Sequence, residues 1–126
     1  MLKILILDDE RDVREILKKR LLKKYNCWVD CVPSVDLALD ACKKKVYDLI
    51  FFDYLLLGNI DGFNLLYNLK RKGTEKTKTI LMSGFIKDDA DVEKKGLGIK
   101  PDAFIEKPFE FVDVCKIIDL LITKEE

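Results

Sequence analysis

Four short apolar runs, each ending in polar side chains, constrain the fold of this chain more than any other feature. The runs cover residues 4–7, 49–52, 79–82 and 103–105, and each has the length and composition of a buried strand. The polar residues at or just past their ends are Asp8, Asp9, Asp53, Ser83 and Lys107. In an open parallel sheet the ligand site lies outside the carboxyl ends of the strands, so these side chains are expected to share one pocket.

Helical periodicity between these runs predicts that strands alternate with helices. A further strand is predicted at Cys27–Val32, and Ser34 occupies the N-cap position of the helix that follows. The apolar faces predicted to cover the sheet are Val13, Ile16, Leu17 and Leu21; Leu37, Ala38, Ala41 and Cys42; Phe63, Leu65, Leu66 and Leu69; and Phe109, Val112, Cys115, Ile118 and Ile122. With a short helix within residues 87–95, the pattern predicts an α/β fold in which five helices cover a five-stranded parallel sheet.

The predicted pocket has the charges of a magnesium and phosphoryl site. The carboxylates of Asp8, Asp9 and Asp53 stay ionised most easily with a cation among them, and oxygen ligands favour Mg²⁺. The Lys107 ammonium and the Ser83 hydroxyl can bind phosphoryl oxygens. Because a carboxylate is also a covalent phosphoryl acceptor in proteins, the pocket is predicted to carry an aspartyl phosphate.

Four motifs in a fixed order connect this pattern to a known family. They are Leu7-Asp8-Asp9-Glu10, Phe52-Asp53, Met82-Ser83-Gly84 and Glu106-Lys107-Pro108-Phe109. With these motifs at its strand ends, the chain resembles the response-regulator receiver domain of two-component signalling over essentially its whole length. The resemblance implies one receiver domain over residues 1–126, with the flavodoxin-like strand order 2-1-3-4-5.

The resemblance also implies a role for each site residue. The roles are Asp53 as phosphoacceptor, Asp9 as direct Mg²⁺ ligand, Asp8 as a ligand through water, the Leu55 backbone carbonyl as a further ligand, Ser83 and Lys107 as phosphoryl contacts, and Ser83 with Phe104 as the switch. A sensor histidine kinase or phosphotransfer protein would supply the phosphoryl group. A downstream protein would bind the face formed by the fourth helix, fifth strand and fifth helix, and the bond before Pro108 is often cis in the family.

Such a protein is expected to be a signalling switch and not an enzyme with external turnover. Its chemistry would be limited to self-phosphotransfer and slow autodephosphorylation. The family resemblance implies that Leu55 and Phe85 flank the phosphoryl group. Bulky apolar neighbours neither orient nor admit the attacking water, so the phosphoryl group is expected to persist.

Composition and cysteine content restrict the partners and location. Lysine plus arginine (23) equals aspartate plus glutamate (23), so no charge excess argues for nucleic acid or an anionic membrane. The first apolar run is short and interrupted by Lys3, which predicts neither a signal peptide nor a membrane span, and hence a cytoplasmic location. Cys27, Cys31, Cys42 and Cys115 form no Cys-x-x-Cys pair and are predicted to pack as reduced thiols.

Three other functions are open at this stage. A haloacid-dehalogenase-like phosphatase requires a second acid two residues after its nucleophile, where this chain has Leu55. A flavin or dinucleotide binder requires a phosphate-binding loop after the first strand, where Asp8, Asp9 and Glu10 would repel phosphate unless a metal ion intervened. A degenerate receiver that binds partners without phosphorylation is the main alternative, and loss of an acid or of the lysine would mark it.

Overall fold

A computed structural model of the chain describes residues 1–53, 77–84 and 101–123. These ranges contain five strands and three helices. The strands are β1 (Leu2–Leu7), β2 (Cys27–Val32), β3 (Leu49–Asp53), β4 (Lys78–Ser83) and β5 (Ala103–Glu106), and the helices are α1 (Arg11–Lys24), α2 (Val35–Lys44) and α3 (Phe111–Thr123). The helices predicted between β3 and β4 and between β4 and β5 lie outside the described residues, so the total of five helices stays a prediction.

The five strands form one parallel sheet in the order β2-β1-β3-β4-β5. This order confirms the one that the family resemblance implies. Strand β1 pairs on both sides, with Leu5 opposite Asp30 in β2 and opposite Ile50 in β3. The strand order therefore reverses between β1 and β3, and in open α/β sheets the ligand site forms at such a point. Asp8 follows one of these two strands, and Asp53 ends the other.

Apolar side chains on the two faces of the sheet form two cores. Leu5 and Leu7 pack toward α2, whereas Ile4 and Ile6 pack toward α1 and α3. This alternation follows from the two-residue period of a strand, and burial on both faces explains why the inner strands are continuously apolar. Each fully buried side chain of this size contributes about 1.5 to 3 kcal/mol, so both cores hold β1 firmly in the sheet.

The predictions for α1 and α2 are confirmed in part. Leu17 and Leu21 are buried as predicted, but Ile16 is 58% exposed, and its predicted burial is wrong. Ser34 is the N-cap of α2 as predicted, and its side chain accepts a hydrogen bond from the backbone N–H of Leu37 at 3.4 Å. The Leu37 side chain is itself exposed. Apolar periodicity identifies a helix, but it does not define where along that face the sheet makes contact.

The predicted apolar face of α3 differs from the face that packs on the sheet. Ile118 is buried as predicted, but Val112 is 53% exposed and Phe109 precedes the helix. Val114 and Leu121 are buried instead. Both sets of residues have the three- and four-residue spacing of one helix face, so periodicity alone does not choose between them.

The cysteines are free thiols, as predicted, and each is half-buried. Burial raises the pKa of the Cys42 thiol to about 11 and also raises the pKa of Cys27 and of Cys31. The thiolate is the form that attacks electrophiles and binds metals, so these thiols pack mainly as small apolar groups. Among the described residues, no helix is both long enough and apolar enough to cross a membrane.

Candidate functional site

The predicted site residues lie together at the carboxyl edge of the sheet. Asp8 directly follows β1, Asp53 is the last residue of β3, Ser83 is the last residue of β4, and Lys107 directly follows β5. The backbone N–H of Lys107 donates to the Ser83 carbonyl at 3.0 Å, which continues the pairing of β4 and β5 up to the site. The parallel order of the strands therefore brings these four residues to one edge.

Asp8 is fully buried at this edge, with none of its surface exposed. Its backbone N–H donates to the Val32 carbonyl at 3.2 Å, and its Oδ1 accepts from the backbone N–H of Glu10 at 2.9 Å. Its Oδ2 accepts from Lys107 Nζ at 2.7 Å, and its backbone carbonyl accepts from Arg14 Nη1 at 2.9 Å. A buried carboxylate is stable only when it is paired and hydrogen-bonded, and Asp8 meets both conditions.

Lys107 connects the two buried carboxylates of the site. Its Nζ lies 2.7 Å from Asp8 Oδ2 and 3.6 Å from Asp53 Oδ2. Burial alone would lower the pKa of Lys107, but the hydrogen bond to Asp8 and the charges of Asp53, Asp8 and Glu10 outweigh burial and raise the pKa. The lysine is therefore a cation at neutral pH, positioned against the expected phosphoacceptor.

Three carboxylates at the start of α1 form a group that suits a hard divalent cation. Oxygen atoms of Asp8, Asp9 and Glu10 lie within 4.8 Å of one another. Asp8 is buried, while Asp9 and Glu10 are exposed and open to solvent. Mg²⁺ prefers oxygen ligands and usually takes one or two carboxylates while keeping several waters, so this donor set fits the ion that the family resemblance implies.

Of the remaining predicted residues, Ser83 lies at the same edge, whereas Phe104 lies within β5 opposite Leu81. Ser83 is buried at the end of β4, and the next residue, Gly84, is exposed. Phe104 is half-buried in β5 and packs against the core on the α2 side of the sheet. The peptide bond between Lys107 and Pro108 is cis, as the resemblance implies. Leu55 lies outside the described residues.

Two residues of the site were not predicted from the sequence. Glu10 stands in the first motif, and its place beside two aspartates was the signal that it could share a cation with them. Arg14 carries no comparable signal. Its side chain runs back from the first turns of α1 to the Asp8 carbonyl, a contact that depends on how the helix meets the strand.

Comparison with known proteins assigns the family. The sequence profile of the response regulator receiver domain matches residues 4–119. The chain belongs to this family. Among curated relatives, the nisin biosynthesis regulatory protein NisR of Lactococcus lactis subsp. lactis is 31% identical over 124 residues. This match covers 98% of the chain and 52% of NisR, so the chain spans about half the length of that relative.

Solved structures of response regulators agree with the fold. A two-component response regulator from Clostridium difficile superposes with a TM-score of 0.82 at 22% identity, covering 100% of this chain and 99% of that one. The response regulator protein TrrA of Thermotoga maritima superposes with a TM-score of 0.75 at 25% identity, covering 96% and 99% of the two chains. The protein is thus a response regulator receiver domain of two-component systems, a class of signalling switches.

Proposed function

We propose that this receiver domain accepts a phosphoryl group on Asp53 from a phosphohistidine and thereby switches a protein-binding surface. The donor would be a sensor histidine kinase or a phosphotransfer protein. The observation that carries this proposal is the position of Lys107, whose Nζ lies 2.7 Å from Asp8 and 3.6 Å from Asp53. A cation between a metal-binding carboxylate and an acceptor carboxylate suits phosphoryl transfer, in which negative charge is spread over the phosphoryl oxygens.

In the proposed reaction, an oxygen of Asp53 attacks the phosphorus of the phosphohistidine. The new O–P bond forms as the P–N bond breaks, and the electron pair of that bond leaves with the imidazole nitrogen. Lys107 is near enough to Asp53 to contact an oxygen of the transferred group, and Ser83 ends the adjacent strand. Placing fixed donors and charges where charge develops lowers the barrier without reorganising water.

Asp8, Asp9 and Asp53 are proposed to hold Mg²⁺, together with the backbone carbonyl of Leu55. The bound ion would supply positive charge that offsets the negative charge developing on the phosphoryl oxygens. The oxygen donor set of Asp8, Asp9 and Glu10 supports this proposal, and Glu10 is an additional ligand candidate. The similar TrrA structure of Thermotoga maritima was solved in complex with Mg(2+)-BeF, which supports the same ion here.

Phosphorylation is proposed to shift an existing equilibrium between inactive and active conformations. Ser83 and Phe104 would move toward the phosphoryl group, and the face formed by the predicted fourth helix, β5 and α3 would bind the downstream protein. We propose that residues 1–126 form this one domain and that it acts in the cytoplasm, without nucleic acid or membrane as a partner of the domain itself.

The degenerate receiver is the competing function within the same family. Its mark would be loss of an acid or of the lysine. Asp8, Asp9, Asp53 and Lys107 are all present, and Lys107 pairs with buried carboxylates as an active site requires. The structure therefore favours phosphorylation over a binding role alone.

Intact mass spectrometry after incubation with Mg²⁺ and acetyl phosphate tests the proposal. One added phosphoryl group is expected on the wild-type protein, and none on Asp53→Asn or in the presence of EDTA. Asp48→Asn is a matched control, because Asp48 bonds to the backbone of Lys3 at the opposite end of the sheet. No added mass on the wild-type protein, with either acetyl phosphate or a phosphorylated donor protein, would contradict the proposal and favour the degenerate receiver.

A further inference from the structure

We infer that Arg14 is a positioning residue that holds the magnesium-binding loop, an inference that rests on the proposed function. The loop consists of Asp8, Asp9 and Glu10 between β1 and α1. Arg14 Nη1 donates a hydrogen bond to the backbone carbonyl of Asp8 at 2.9 Å. Arg14 lies outside the motifs of the family resemblance, and its contact is with the main chain of the loop rather than with a carboxylate.

The burial of Asp8 makes the hydrogen bond from Arg14 difficult to replace with water. Asp8 has no exposed surface, so few waters could replace a lost donor at its carbonyl. A buried carbonyl without a donor is costly, and a bond from a charged guanidinium is stronger than one between neutral groups. Arg14 therefore fixes the first peptide unit of the loop.

The same residue also fixes the other end of the loop. The backbone N–H of Arg14 donates to the Glu10 carbonyl at 3.2 Å, which is the first hydrogen bond of α1. Within the loop, the backbone N–H of Glu10 donates to Asp8 Oδ1 at 2.9 Å. Arg14 thus binds the loop at its first residue through the side chain and at its last through the main chain. Losing the guanidinium releases only the first of these two contacts.

Charge and position act in opposite directions on metal binding. The positive charge of Arg14, taken alone, repels a cation at Asp8 and Asp9, so removing it would tighten Mg²⁺ binding. Removing the hydrogen bond lets the loop move, so the carboxylates no longer converge and Mg²⁺ binding weakens. We expect position to dominate, because partners that orient metal ligands typically change affinity by about 10-fold to 100-fold. The direction of the measured change therefore separates the two effects.

Calorimetric titration of Mg²⁺ into wild-type, Arg14→Met and Arg14→Lys proteins tests the inference without any phosphorylation. The Kd is expected to rise about tenfold in Arg14→Met. The Kd should rise less in Arg14→Lys, because an ammonium can donate to the same carbonyl. It should still rise, because the ammonium lacks the fixed planar donor geometry of a guanidinium. Arg11→Met is the matched control, since Arg11 also lies in the first turn of α1 but bonds to Glu15 at 2.8 Å and is largely exposed. Its Kd should equal that of the wild type.

A second measurement separates positioning from a general effect on the fold. The Mg²⁺ concentration for half-maximal acetyl-phosphate labelling should rise in Arg14→Met, while the labelling rate at saturating Mg²⁺ stays near that of the wild type. Equal or tighter Mg²⁺ binding in a folded Arg14→Met would overturn the inference and leave the proposed function intact. If Arg14→Met does not fold, Arg14→Gln takes its place, because its side chain is shorter and uncharged, and a wild-type Kd in that variant would overturn the inference. Absence of Mg²⁺ binding by the wild type would overturn both the inference about Arg14 and the proposed function.

Discussion

The ammonium of Lys107 lies 2.7 Å from Oδ2 of Asp8, a residue with no exposed surface. The two residues are 99 positions apart in the sequence, so this bond forms only when β1 and β5 are both in the sheet. Asp8 follows the strand beside the topological switch point, and Lys107 follows an edge strand. Their ion pair therefore joins residues from distant parts of the sheet edge. These two charges of the site are paired only when the sheet has folded.

Removing the Lys107 cation should destabilise the protein when Mg²⁺ is absent. Lys107→Met leaves the Asp8 carboxylate buried without its cation, and removing one partner of a buried ion pair costs about 3 kcal/mol. Adding Asp8→Asn to the same chain should recover much of that loss, because the uncompensated charge is gone. Urea denaturation in EDTA measures both changes in the free energy of unfolding.

The controls for Lys107→Met address its specificity. Arg11→Met removes a cation from an exposed pair with Glu15 and should not shift the urea midpoint measurably. Mg²⁺ should stabilise Lys107→Met more than it stabilises the wild type, because the ion supplies the missing positive charge. Identical midpoints for Lys107→Met and the wild type in EDTA would show that the ion pair contributes nothing to folding.

Asp30 should make part of the stability dependent on pH below neutrality. Burial of Asp30 favours its neutral form, but hydrogen bonds from Tyr47, Trp28 and Lys45 outweigh burial and lower its pKa below the ordinary 3.8. The unfolded carboxyl thus takes up a proton at higher pH than the folded one. The stabilisation is complete well above pH 3.8 and is lost as the pH falls through the lower, folded pKa.

Urea midpoints of the wild type and of Asp30→Asn, measured from pH 7 to pH 3, test this dependence. The wild type should be more stable at pH 7, by about 1 kcal/mol, and the difference should shrink as the pH falls below 3.8. Tyr47→Phe removes a donor that lies 2.6 Å from Asp30 Oδ2 and should raise the folded-state pKa of Asp30. The stability that Asp30 contributes should therefore be lost at a higher pH in Tyr47→Phe than in the wild type. A difference that does not change with pH would show that Asp30 titrates alike in both states.

Gly84→Ala should be tolerated and slightly stabilising. A Cβ at Gly84 would lie 3.6 Å from the Lys107 carbonyl, an ordinary contact, and the backbone there is not in the left-handed region. Replacing glycine at such a position restricts the unfolded chain and stabilises the fold by about 0.5 kcal/mol. Thermal unfolding monitored by circular dichroism would detect the shift, and a lower Tm would show that the loop needs glycine for another conformation.

Autodephosphorylation is expected to be slow, with a phosphoryl half-life of minutes or longer in purified protein. This prediction depends on Leu55 and Phe85, which lie outside the described residues and were placed beside the phosphoryl group by the family resemblance. Leu55→Asn should shorten the half-life, because an amide can orient the attacking water. The decay of phosphorylated protein by mass spectrometry measures both rates, and a wild-type half-life of seconds would contradict the prediction.

Local pattern was sufficient to predict the strands and the grouping of polar residues at their carboxyl ends. Four apolar runs ending in polar residues located the strands of the site, and β2 was predicted at Cys27–Val32, where it lies. The grouping of Asp8, Asp53 and Lys107 also followed from the sequence, because parallel strands present their carboxyl ends at one edge. The Ser34 cap was predictable for a different reason. A hydroxyl that accepts from a backbone N–H three residues later is a local relationship.

The packing of the helices could not be predicted with the same accuracy. Ile16 and Val112 have the spacing of buried residues but are exposed, and Val114 is buried in place of Val112. A helix with two adjacent apolar stripes can place either one on the sheet, and the choice depends on its rotation and crossing angle. These angles are set by all the side chains at the contact, which no segment of the sequence specifies alone.

By itself, the sequence determined which residue types stand at the strand ends, and therefore the magnesium and phosphoryl chemistry expected there. Only the tertiary structure decided how those groups pair. Lys107 bonds to Asp8 at 2.7 Å and lies 3.6 Å from Asp53, and Arg14 turns back to the Asp8 carbonyl. The physical reason is range: strand and cap patterns depend on neighbours within a few residues, whereas ion pairs depend on distances that exist only after the sheet has assembled.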